Sequence, residues 1–69
     1  MFLYDRHNHK INAGDVLKFD NEILYLVFSG KTHLIIQNLT QYTPPLILNN
    51  FAEHNIVPAV CIFNINNLN

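Results

Sequence analysis

The chain has 69 residues, a formal net charge of −1 and a single cysteine, and it is 49% hydrophobic but only 13% charged. That length holds one small domain over residues 1–69 and the lone cysteine excludes an internal disulfide, while four basic residues (Arg6, Lys10, Lys18 and Lys31) are too few for a nucleic-acid footprint by charge alone. No run approaches the roughly 18 apolar residues of a membrane span, and Met1 to Arg6 lack the basic region of a signal peptide, so a soluble cytoplasmic protein with a reduced thiol is the expectation.

A domain this size buries only about 60% of the surface its unfolded chain exposes. Its core seldom supplies more than about 3–5 kcal/mol, which makes a partner subunit a common supplement. Eleven residues are asparagine, which hints at an AT-rich bacterial or phage genome.

In chain order, residues 1–6 alternate loosely enough for an edge strand, and His7-Asn8-His9-Lys10 forms a polar turn with Ile11 plugging the core beside it. Gly14 supplies a positive φ, and Asp15 hydrogen-bonds back onto the turn it follows. A first strand starts at Val16. Asp20-Asn21 is a two-residue connector, pairing Phe19 with Glu22, Leu17 with Leu24 and Val16 with Tyr25. This register puts Leu17, Phe19, Leu24, Leu26 and Phe28 on the core face. It puts Val16, Lys18, Ile23, Tyr25 and Val27 on the other. Ser29-Gly30-Lys31 is a three-residue loop into a third strand over residues 32–37, which adds Leu34 and Ile36 to the core face and His33, Ile35 and Gln37 to the opposite one.

Pro44-Pro45 confine their segment to loop or sheet edge, and Leu46-Ile47-Leu48 is a short strand. Residues 49–55 read as one helical turn closed by a left-handed Asn55. A last strand runs from Ile56 to Ile65 with Pro58 near its start, and the tail from 64 to 69 frays. The expected class is all-β: a small barrel of five to six short antiparallel strands with one helical turn before the last.

Ile11-x-x-Gly14-Asp15-Val16-Leu17 followed by Tyr25-x-Val27 resembles the opening of small SH3-like β-barrel proteins, including those of phages and prophages. The likeness covers residues 11–28. It implies a binding role without a catalytic set, and it names no ligand.

The residues carry little catalytic chemistry. Cys61 lies in an apolar strand where cysteine acts as a small hydrophobe, and Asp15, Asp20 and Glu22 stand at turn positions that capping explains. No catalytic residue is expected. His7 and His9 share a face if extended, and His33, His54 or Cys61 would have to complete a metal site, but no Cys-x-x-Cys or His-x₃-His spacing supports one. No metal or cofactor is expected either. Tyr4, Tyr25, Tyr42, Phe2, Phe51 and Lys18 make up a candidate stacking platform for single-stranded nucleic acid.

The more informative feature is the second face, which is too apolar for solvent. Val16, Lys18, Ile23, Tyr25, Val27 and Ile35 are the candidate partner-binding residues, with Tyr25 as anchor and a homodimer as the expected state of the isolated chain. The functional expectation is a non-enzymatic interaction module of phage or mobile-element type. Its sharpest form binds and inhibits a host protein complex, as anti-CRISPR proteins do. The alternative is an SH3-like module that binds nucleic acid or a nucleoprotein.

Overall fold

The computed structural model describes residues 2–67. Its sheet begins just after Gly14, whose φ of +93° is open to glycine at little cost. Five strands follow: β1 Asp15–Phe19, β2 Leu24–Ser29, β3 Leu34–Asn38, β4 Leu46–Ile47 and β5 Ala59–Asn64. They pair antiparallel in the order β4-β3-β2-β1-β5, so the last strand returns beside the first. A 3₁₀ turn at Leu48–Phe51 joins β4 to the approach to β5. This is the expected all-β class: five short antiparallel strands with one 3₁₀ turn before the last.

The first hairpin differs from expectation by one residue, and that residue decides which side chains are inside. Phe19 N–H donates to the Ile23 carbonyl at 3.1 Å and Glu22 N–H to the Phe19 carbonyl at 2.9 Å, so the connector is Asp20-Asn21-Glu22. Glu22 takes the left-handed φ of +68° that a three-residue hairpin loop requires. Asn21 Oδ1 accepts the Ile23 N–H at 3.1 Å, and Lys18 Nζ lies 2.8 Å from the Glu22 carboxylate. Val16 therefore pairs with Leu26, Leu17 with Tyr25 and Lys18 with Leu24. Because side chains alternate with period two, this shift turns every β2 side chain to the opposite face.

The inner face consequently carries Leu17, Phe19, Tyr25, Val27, Leu34 and Ile36. With Leu3, Ile11, Leu48, Val57 and Ala59 these form one core, in which Leu17, Val27 and Ile36 are fully buried. Tyr25 meets Phe19 edge-on at 5.1 Å between ring centres, and Phe19 meets Phe51 the same way at 5.7 Å. Tyr25 and Val27, expected on the open face, are thus core residues, and Ile23 is half-buried beside Phe19. Leu24, Leu26 and Phe28, expected in the core, face outward. On β3 the parity is as expected: Leu34 and Ile36 point in, Ile35 and Gln37 out. The connection before it is tighter than a three-residue loop, since Ser29 pairs with Leu34 and Gly30 N–H donates to the His33 carbonyl at 2.9 Å.

Elsewhere the chain departs from the simple strand reading. Of the strand expected over residues 1–6, residues 2–6 form none of their own, and Met1 lies outside the described residues. Tyr4 makes isolated bridges to Lys10 and Ile56. The helical turn ends at Phe51 rather than reaching 55, because Ala52 is already extended (φ −88°, ψ 144°), and His54 and Asn55 further on both take positive φ (53° and 68°). That pair closes a tight turn in which Glu53 and Ile56 exchange backbone hydrogen bonds at 2.9 and 3.0 Å. Pro44 and Pro45 lead into the edge strand β4, as a missing donor demands. The expected fraying from residue 64 does not occur through Asn67. Ile65 N–H donates to the Gly14 carbonyl at 2.8 Å, Asn66 N–H to Asn64 Oδ1 at 2.7 Å, and Ile65–Asn67 forms a 3₁₀ turn. Residues 68 and 69 lie outside the described residues.

Candidate functional site

Two features have the chemistry of a site: the outer face of the sheet, and a polar cluster where the N-terminal loop meets β5. The outer face follows from the register. Leu24 sits beside Lys18, Lys18 beside Val60, and Val16 lies between Leu26 and Phe63. Phe28, Ile35 and Ile47 form a third row. Paired residues stand about 5 Å apart, so these rows form a contiguous surface. Phe63 is 43% exposed and Phe28 and Ile47 each 38%, while Leu24, Leu26, Ile35 and Val60 are half-buried. Lys18 and Gln37 are the polar members.

Of the six residues singled out in the sequence, Val16, Lys18 and Ile35 lie on this face. Val16 is itself buried at its centre. Ile23, Tyr25 and Val27 do not belong to it. The apolar residues that lie here and were not singled out are Leu24, Leu26 and Phe28, hidden by the loop length at Glu22, and Ile47, Val60 and Phe63, brought in by the β3–β4 and β1–β5 pairings. The aromatic platform does not assemble: Tyr25 and Phe51 pack on Phe19, Phe2 lies under Lys10 Nζ at 3.8 Å, and Tyr42 is 93% exposed on a loop.

The polar cluster is built on two buried carboxylates. Asp5 is only 1% exposed, yet its Oδ1 accepts the N–H groups of His7 and His9 at 2.8 and 2.9 Å, and its Oδ2 accepts the N–H of Cys61 at 2.9 Å. Burial alone would raise its pKa, but the donors of Cys61, His9 and His7 outweigh burial and hold it below its ordinary value. Asp15, also 1% exposed, accepts from Asn12 N–H and from Asn64 Nδ2, each at 2.8 Å. A β-bulge on β5 completes the arrangement. Val16 pairs with Phe63 but Leu17 with Cys61, so Ile62 is the extra residue, and Cys61 falls on the inner side with Asp15 while Phe63 goes outward.

One donor atom each of His9, Asp15 and Cys61 then lies within 4.8 Å of the others, at a surface cleft of about 310 Å³. His7, the other half of the His-x-His pair, is not in the group, and neither is His33 or His54. Burial, and then the carboxylates of Asp15 and Asp5, push the Cys61 thiol up to about 11. A thiol raised in this way stays protonated at neutral pH, so the histidine and carboxylate beside it do not activate it as a nucleophile. Asp5 gave no signal in the sequence beyond its place before a polar turn.

Comparison with protein-family models, with curated proteins and with solved structures gave no match. Among the described residues no helix is long and apolar enough to cross a membrane.

Proposed function

We propose that this protein is a non-enzymatic interaction module that works through the outer face of its sheet. The observation that carries the reading is the continuity of Leu24, Leu26, Phe28, Ile35, Ile47 and Phe63 across four strands, with Lys18 and Gln37 the only polar interruptions. Isolated apolar side chains on a surface are ordinary, but a contiguous set is a mark of interaction. The inhibition of a host protein complex expected from the sequence would use this face, and nucleic acid is disfavoured by the dispersal of the aromatic residues. In the isolated chain a second copy covers the face, since a two-fold pair needs one self-complementary patch.

Analytical ultracentrifugation at micromolar concentration tests this. The wild type should sediment as a dimer, and Phe28→Glu combined with Ile35→Glu should give a monomer with an unchanged circular dichroism spectrum. A monomeric wild type, or a double variant that still dimerises, would remove the basis of the proposal.

A further inference from the structure

We infer that His9, Asp15 and Cys61 form a binding site for a single divalent transition-metal ion of the zinc class. The argument starts from donor type. An imidazole nitrogen, a thiol sulfur and a carboxylate oxygen are the mixed set that suits zinc, and three protein ligands with a fourth position open to solvent is a common zinc arrangement. The spacing agrees. Bonds of 2.0–2.3 Å in tetrahedral geometry place ligand atoms about 3.5 Å apart, and His9 Nε2 already stands 3.6 Å from Asp15 Oδ2. The sulfur lies within the same 4.8 Å group.

The ligands are also held from behind, as metal ligands usually are. One carboxylate, Asp5, binds the backbone N–H of His9 through one oxygen and that of Cys61 through the other, so two ligands from opposite ends of the chain are positioned by a single side chain. Asn64 Nδ2 occupies Asp15 Oδ1. Asp15 Oδ2 takes one hydrogen bond from Asn12 N–H and retains a further acceptor direction. Charge points the same way: among the described residues neither Asp5 nor Asp15 pairs with a lysine or arginine, since Arg6 pairs with Asp20 and Lys18 with Glu22. Two buried carboxylates without a fixed cation favour a bound one. His9 is half exposed, which leaves an entry path from the cleft.

Binding replaces the S–H bond of Cys61 by a sulfur–metal bond and releases its proton to solvent. Calorimetric titration of the metal-free full chain with Zn²⁺ should therefore show one ion per chain, with a heat that varies with buffer ionisation enthalpy. Cys61→Ser and His9→Gln should each weaken binding by more than the roughly 10- to 100-fold that loss of a supporting outer partner costs. A variant with His7, His33 and His54 all changed to Gln should bind as the wild type does. Co²⁺ in place of Zn²⁺ should give a thiolate-to-cobalt charge-transfer band, which decides the matter even if Cys61→Ser fails to fold. No stoichiometric Zn²⁺ binding, binding lost in the triple histidine variant, or a Co²⁺ complex without that band would overturn the assignment. The metal test is independent of the outer-face reading, because none of the three ligands belongs to that face: Asp15 and Cys61 lie on the inner side and His9 in the N-terminal loop.

Discussion

Asp5 Oδ2 accepts the backbone N–H of Cys61 at 2.9 Å, joining residues 56 positions apart. With Oδ1 holding His7 and His9, this carboxylate pins the N-terminal loop to the bulged strand. Its pKa is lowered on folding, so its contribution is fully present above the unfolded value near 4 and is lost as pH falls through the folded value. Urea midpoints measured in metal-free buffer should fall as pH drops below about 4. Asp5→Asn should cost about 3 kcal/mol at neutral pH, because an ionic acceptor of buried donors is removed, and should flatten that acid limb. An Asn variant with wild-type stability and the same acid limb would show that the carboxylate holds nothing.

The left-handed Glu22 gives the second prediction. A non-glycine residue at φ +68° costs about 1 kcal/mol or more, which asparagine largely avoids. Glu22→Asn gives up the exposed pair with Lys18, worth about 0.3–0.5 kcal/mol. The expected net is a gain of about 0.5 kcal/mol, read as a higher denaturation midpoint. A lower midpoint would mean that the Lys18 pair outweighs the backbone strain.

That same residue explains how much of the structure was legible beforehand. The central strands β1 to β3, the Gly14 turn and the edge placement of Pro44-Pro45 followed from turn chemistry and apolar runs, whereas the strand expected over residues 1–6 did not form and the last strand starts at Ala59 rather than Ile56. The facing of β2 did not follow, because both parities of Leu24 to Phe28 are apolar and hydrophobic pattern cannot choose between them. Only loop length chooses, and a glutamate in the left-handed position is an uncommon way to lengthen a loop. The polar cluster was hidden for another reason: His9, Asp15 and Cys61 meet through the β1–β5 pairing and a bulge at Ile62, and neither the pairing nor the bulge leaves a local spacing pattern.

Gly14 supports a third prediction. A Cβ at that position would sit 2.5 Å from Asn66 Nδ2 and 3.0 Å from Asn64 Oδ1, on a backbone at φ +93°. The Asn66 side chain can move, but Asn64 Nδ2 is held by the Ala13 carbonyl at 3.2 Å and by Asp15. Gly14→Ala should therefore cost about 2 kcal/mol, mostly backbone strain. Thermal unfolding followed by circular dichroism would register this as a lower midpoint, and an unchanged midpoint would mean that the turn relaxes freely.

The fourth prediction tests the parity of β2 directly, by placing the same charge on adjacent residues. Val27 is fully buried in the inner-face core, in register with Ile36. Leu26, one residue earlier, is half-buried on the outer face, in register between Val16 and Gln37. Val27→Glu should therefore unfold the chain. An unpaired buried charge costs several kcal/mol, comparable with the whole stability of a domain this small. Leu26→Glu should keep the β spectrum, lose about 1 kcal/mol from reduced packing, and weaken self-association. Tyr25→Glu should behave like Val27→Glu, since its ring is packed against Phe19. If Leu26→Glu unfolds while Val27→Glu stays folded, the connector has two residues rather than three, and the outer face is made of Tyr25 and Val27 after all.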